Sequence, residues 1–221
     1  MAAAQALTHA LIFANGDLND GAAVQQALAQ PAFVIAADGG ADLARRVGQP
    51  VALVVGDMDS VLPDTLLELE QAGVEIQRSP AEKNETDLEL ALIEAASRGA
   101  GWIRIIGGVG NRLDQTLANV HLLSLPLLLD RDVRLVAHHQ TIWLLEPGDH
   151  ALMGEVGDTI SLIPAAGDVT EIATQHLKYP LLNETLPFGP ARGVSNVICD
   201  PAPRVRFASG ILLVVHTIGR A

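Results

Sequence analysis

From residue 10 to residue 137 the chain alternates short apolar runs with longer stretches in which apolar positions return every three or four residues. The runs are ALIFA at 10–14, FVIAA at 33–37, VALVV at 51–55, VEI at 74–76, WIRII at 102–106 and VRLVA at 133–137. Most are hydrophobic on both faces, as strands buried in a parallel sheet must be. Between them, GAAVQQALAQ, GADLARRVG, LPDTLLELEQAG, ETDLELALIEAASRG and RLDQTLANVHLLSLPLLL carry helical periodicity and end at Gly or at a break containing Pro. Strand then helix, repeated, predicts an N-terminal doubly wound α/β domain with a mostly parallel sheet.

After residue 138 the helical period disappears. TIWLLE, DTISLIP, VTEIA, GVSNVIC and GILLVVHTI read as strands, separated by the turn sequences EPGD, PAAGD, PFGP, DPAP and ASG. This change of rhythm predicts a C-terminal all-β sandwich, with domains at 1–138 and 139–221.

Polar chemistry collects where the apolar runs stop. FVIAA is followed by Asp38, Gly39 and Gly40; VALVV by Gly56, Asp57 and Asp59; WIRII by Gly107, Gly108, Gly110, Asn111, Arg112 and Asp114. SPAEKNETD brings Glu82, Lys83, Thr86 and Asp87 to the start of a helix. In an open parallel sheet the carboxyl ends of the strands share one edge, and ligands bind there. An Asp at such a junction also serves as an N-cap, and GDMDS also forms an Asx-turn. Caps alone do not require several carboxylates in one cleft. A hard divalent cation does, and oxygen ligands without Cys or His suit Mg²⁺, which commonly takes substrate phosphates as further ligands. The glycines of GGVG let backbone amides approach phosphate oxygens, and Arg112 offers a planar fork. GGVGNR lacks the third glycine of a dinucleotide fingerprint, and no GxxxxGK[ST] is present, so neither a nicotinamide cofactor nor a P-loop is expected.

Composition narrows the partners. A formal net charge of −12 argues against a broad grip on nucleic acid. A single cysteine, Cys199, excludes an internal disulfide framework. LLSLPLLL, interrupted by Ser124 and Pro126, is too short to span a bilayer, and MAAAQALTHALIFANG has no basic residue ahead of its apolar part. A cytoplasmic protein without membrane partners is the expectation.

Taken in order, ADGGADLA, GDMDS, AEKNETDLELAL, GGVGNRLDQTLAN and LKYPLLNETL followed by GVSN resemble the thiamine pyrophosphokinase family, from about residue 9 to the end. The resemblance implies an α/β domain followed by a β-sandwich, a homodimer with active sites between subunits, and transfer of the pyrophosphoryl group of ATP to the hydroxyethyl oxygen of thiamine, with Mg²⁺ and release of AMP. It places Asp57, Asp59 and Asp87 at the metal. Asp38, Gly39, Lys83, Thr86, Gly108, Gly110 and Arg112 fall on the ATP side, with Asp114 beside them, and Tyr179, Ser195 and Asn196 on thiamine. Asp57, Asp59, Asp87, Arg112 and Asp114 form the implied catalytic set. Asp87 and Asp114 both stay open as general base. Two departures stand out: Asn84 where relatives carry Asp, and Met58 where GDFDS is commoner.

Overall fold

The computed structural model describes residues 8–220. The expectation about a leader segment falls partly on residues 1–7, outside the described residues. Contacts divide the chain into two compact units, one ending at His138 and the other beginning at His139.

The first unit runs β1 (His9–Phe13), α1 (Ala22–Leu28), β2 (Phe33–Ala37), α2 (Gly40–Arg46), β3 (Leu53–Gly56), α3 (Pro63–Gln71), β4 (Glu75–Arg78), α4 (Asp87–Ser97), β5 (Trp102–Ile106), α5 (Leu113–Leu122) and β6 (Asp132–Ala137). All six strands pair in parallel, in the order β6-β5-β1-β2-β3-β4. From β1 the chain builds outward through β2, β3 and β4, then returns to the other side of β1 for β5 and β6. The topological switch therefore lies between β1 and β5, and a crevice opens there at the carboxyl edge. Ala10, Leu11, Ile12, Phe13, Ile35, Leu53, Ile103 and Ile105 are buried to within 1% of completely. The edge strand β4, with Glu75 and Arg78 exposed, departs furthest from the two-sided apolar pattern.

The helices begin and end for local reasons. Asp42 caps α3 from a distance, accepting from the Leu62 amide at 3.0 Å and the Thr65 hydroxyl at 2.5 Å. Thr86 caps α4 by accepting from the Glu89 amide at 3.2 Å. The expected long last helix stops at Leu122, and Pro126 opens a separate short 3₁₀ turn.

The second unit contains β7 (Gln140–Leu145), β8 (Gly148–Ala151), β9 (Thr159–Pro164), β10 (Val169–Gln175), β11 (Leu182–Leu186), β12 (Asn196–Val197), β13 (Arg204–Phe207) and β14 (Leu212–Thr217). Two antiparallel sheets, β12-β9-β14-β7 and β11-β10-β13-β8, share one core that includes Trp143, Ile160, Leu162, Ile172, Leu186, Phe207 and Val214. That is a sandwich. Three of its strands lay outside the sequence pattern. β8 reads GDHA and exists because β13 pairs with it; β11 reads LNETL and buries only Leu186; β13 is a four-residue alternation, RVRF. Conversely, GVSNVIC yields only the two-residue β12, because Ser195 turns into the left-handed region at φ 60°.

Candidate active site

At the carboxyl ends of β2 and β3 the backbone leaves the sheet through unusual conformations. Asp38 follows β2 at φ 46°, while its amide still donates to the Val55 carbonyl at 2.8 Å and so fixes it against β3. Gly56 ends β3 at φ 147°; a Cβ there would lie 3.0 Å from Asp38 Cβ and 3.1 Å from Asp87 Oδ1. Glycine thus lets the two acids flank the strand end. Met58, also left-handed at φ 68°, turns back into a cluster with Ala36, Ala41, Val54 and Val61. Its return leaves Asp57 and Asp59 outside the hydrocarbon, with the Asp59 amide donating to Asp57 Oδ1 at 3.2 Å and the Ser60 hydroxyl to Asp59 Oδ1 at 2.8 Å.

Carboxylate oxygens of Asp38, Asp57 and Asp59 lie within 4.8 Å of one another. Asp38 is 5% exposed, and its Oδ1 is buried without a hydrogen-bond partner. Burial pushes the Asp38 carboxyl above its ordinary pKa; nearby Asp87 adds to the shift, and hydrogen bonds from Ser60 and the Gly39 amide oppose it. An acceptor left bare among other acids is costly unless a cation completes it, so these residues fit a hard divalent metal.

Asp87, expected as the third metal ligand, lies beside the cluster with Oδ1 2.9 Å from Lys83 Nζ. Among the described residues, the acid whose carboxylate oxygens group with those of Asp57 and Asp59 is Asp38. Lys83 is nearly buried, and the Asp87 carboxylate holds its ammonium above the usual lysine range.

The opposite wall is the loop after β5, and its carbonyls are tied down one by one. Asn119 Nδ2 donates to the Gly108 carbonyl at 2.8 Å, Asn19 Nδ2 to that of Val109 at 2.6 Å, and the Thr116 hydroxyl to that of Gly110 at 3.3 Å. A Cβ on Gly108 would strike Leu135 at 2.4 Å, and one on Gly16 would strike the Gly107 carbonyl at 2.2 Å. The loops after β1 and β5 therefore meet backbone to backbone. Together these walls border an open cavity of about 790 Å³.

Asp38, Asp57, Asp59, Lys83, Thr86 and Asp87 line this cavity, as do Gly108, Gly110 and Arg112. Gly39 and Asp114 are outside its lining. A side chain on Gly39 would collide with Asn15 at 2.5 Å, and Gly39 itself precedes α2. Asp114 is exposed and forks with Arg112, at 2.6 Å from Nη2 and 3.3 Å from Nε, which holds its carboxyl below the ordinary range. The Thr86 hydroxyl serves as the cap of α4. Sequence reasoning missed Asn15, Gly16 and Asp17 after β1, and Gln115, Thr116 and Asn119 on α5. The carboxyl-edge rule, applied to ALIFA and its sequel NGD, would have found the first three.

In the second unit Tyr179 is 61% exposed, with Lys178 Nζ 5.3 Å from its ring centroid. Ser195 is exposed, and its amide donates to Ser161 Oγ at 3.0 Å. Asn196 is buried.

A parallel sheet whose switch point opens on acids and a glycine loop, followed by a β-sandwich unit, defines a two-unit α/β enzyme of the phosphoryl-transfer type. Profiles of "Thiamin pyrophosphokinase, catalytic domain" and "Thiamin pyrophosphokinase, vitamin B1 binding domain" match residues 24–136 and 149–212. Thiamine pyrophosphokinase of Bacillus subtilis (strain 168) is 31% identical over 163 residues, covering 73% of this chain and 76% of that one. A crystal structure of the Bacillus subtilis enzyme superposes with a TM-score of 0.85 at 26% identity, covering 96% of this chain and 99% of the other. Thiamin pyrophosphokinase from Geobacillus thermodenitrificans gives 0.82 at 26% identity over 95% and 97%. The yeast enzyme, at 14% identity and a TM-score of 0.75 over 97% and 87%, shares the fold. The chain belongs to the thiamin pyrophosphokinase family.

Proposed function

We propose that the chain transfers the pyrophosphoryl group of ATP to the hydroxyethyl oxygen of thiamine, giving thiamine diphosphate and AMP. The observation that carries this reading is the acid cluster with its bare Asp38 oxygen, facing a glycine loop whose carbonyls are bound elsewhere. Asp38, Asp57 and Asp59 would hold Mg²⁺ on the ATP phosphates, with Asp87 adjacent. Bound there, the metal neutralises charge on the transferred group and on departing AMP. With the carbonyls of Gly108, Val109 and Gly110 occupied by side chains, the loop presents less negative charge to a polyphosphate. Arg112 reaches a phosphate by releasing Asp114, an exposed partner that holds it weakly. The alcohol oxygen of thiamine attacks the β-phosphorus, the bond to the AMP oxygen breaks, and the hydroxyl proton is lost. Asp87 is the better placed of the two candidate bases, because Asp114 lies outside the cavity lining.

The first unit would carry ATP and the second thiamine, at Tyr179 and Ser195. A homodimer with active sites between subunits accounts for apolar surface left open, since Leu113 and Leu117 on α5 are 69% and 53% exposed, and Leu182 and Phe188 are 77% and 59% exposed. No helix among the described residues is long and apolar enough to cross a membrane. A cytoplasmic location agrees with that and with the lone cysteine. The test is AMP release from ATP: it should require both thiamine and Mg²⁺, and thiamine-independent release would sink the reading.

A further inference from the structure

Asn196 follows the left-handed Ser195, where the chain turns into β12. The segment 196–199 runs antiparallel to 176–179. The Cys199 amide donates to the His176 carbonyl at 2.9 Å, and the Lys178 amide to the Val197 carbonyl at 2.8 Å. One rung further, at Tyr179, the opposing backbone has turned away, and the side chain of Asn196 takes its place. Oδ1 accepts from the Tyr179 amide at 3.0 Å and from the Val197 amide at 2.9 Å, while Nδ2 donates to the Tyr179 carbonyl at 2.7 Å. Both backbone groups of Tyr179 are thus held by one carboxamide, and both ends of that carboxamide are engaged. At 8% exposure it has little surface left to offer a ligand.

Tyr179 is fixed from the other side as well. Pro180 restricts the residue before it to extended conformations, and the Leu181 amide donates to Thr174 Oγ1 at 2.9 Å. Its ring is nonetheless open to solvent and accepts the Lys178 ammonium over its face. A rigid backbone beneath an exposed ring that already accepts a cation is a preorganised platform for a flat, cationic ligand.

We propose that Asn196 is a positioning residue: it does not touch thiamine but holds the backbone of Tyr179 so that the exposed ring is presented to it. This rests on the thiamine reading of Tyr179 given above. Because the chain has a single tyrosine, one fluorine label reports on that ring alone. In protein grown with meta-fluorotyrosine, Asn196→Ala and the isosteric Asn196→Asp should shift and broaden the fluorine NMR line. Asn196→Asp keeps the acceptor and loses the donor to the Tyr179 carbonyl, so it carries the test if the alanine variant does not fold. Each variant should raise KM for thiamine about 3- to 10-fold and leave KM for ATP within about twofold. Adding Asn196→Ala to Tyr179→Ala should cost less than about twofold more, because a residue acting through the ring has nothing left to act on. An unchanged fluorine line in the variants, or alanine effects that multiply, overturns the proposal. Failure of the thiamine reading looks different. Thiamine then leaves the wild-type line in place and Tyr179→Ala leaves KM for thiamine unchanged; the substrate half of the proposal falls, while the Asn196 variants still move the line.

Discussion

Asp38, at the end of β2, and Asp158, just before β9, are both more than nine-tenths buried, at 5% and 8% exposure, and their chemistry diverges from there. Around Asp158 both carboxylate oxygens are partnered: the Glu155 amide at 2.9 Å and His216 Nε2 at 2.8 Å share Oδ2, and the Gly219 amide donates to Oδ1 at 2.7 Å. Burial raises its pKa, but these amides and His216 more than offset that and hold it below the ordinary value. Asp38 has a bare Oδ1, other acids for neighbours, and a raised pKa. A fully partnered buried acid is a structural strut. An unpartnered one beside two more acids is costly to the fold and useful only to a ligand. The difference separates what holds the second unit together from what the first unit keeps ready for chemistry.

The comparison is most severely tested at Asp59. Asp59→Asn removes charge and almost no volume from an exposed position, so turnover should fall by about 10²-fold or more while the melting temperature stays put. Near-normal turnover would remove Asp59 from the metal site. Asp158→Asn should do the reverse, costing about 2–4 kcal/mol because it leaves His216 and two amides without their anion. In thermal unfolding that is a loss of about 5–15 °C, with activity retained below the transition; unchanged stability would mean the strut contributes nothing.

Asp38→Asn sharpens the contrast, since it should raise the melting temperature of the metal-free protein by a few degrees and still abolish most turnover. Saturating Mg²⁺ and ATP should stabilise the wild type by about 2–3 kcal/mol at 100-fold excess over Kd and the variant much less. A less stable metal-free variant would show that Asp38 is a strut after all.

The smallest effect is in pH. A carboxylate with a depressed folded pKa binds fewer protons folded than unfolded. The contribution of Asp158 is therefore complete above the ordinary value of 3.8 and lost as pH falls through its folded pKa. Asp38, raised, has the opposite sign, its contribution being present below 3.8 and lost as pH rises through its folded pKa. Chemical denaturation should show wild type and Asp158→Asn converging in stability below about pH 4. A gap that persists at lower pH would point to packing instead of charge.

Several parts of this molecule were legible in order of residues alone. FVIAA became β2 with the expected limits, because a strand buried on both faces needs an uninterrupted apolar run. WIRII became β5 as expected although Arg104 interrupts it, the buried guanidinium being tied to Asp132 Oδ2 at 2.7 Å. Asp57 and Asp59 around Met58 announced a turn leaving the core, and that is how they are placed. Strands such as β8 and β11 were not legible. GDHA and LNETL have no pattern of their own and are strands only because β13 and β10 lie alongside.

For the site, the chain by itself determined which residues stand at strand ends, since the step from apolar run to Asp or Gly is local. It did not determine which strand ends are neighbours, because the order β6-β5-β1-β2-β3-β4 follows from crossovers that bring residues far apart in sequence together. That order made Asn15 and Gly16 line the pocket and put Asp38 with Asp57 and Asp59, whereas Asp87 meets Lys83 through a local contact four residues apart. The same holds for Asn196. The family resemblance of GVSN singled it out, but only the fold, with Ser195 left-handed before it, gave its carboxamide both backbone groups of Tyr179 to hold.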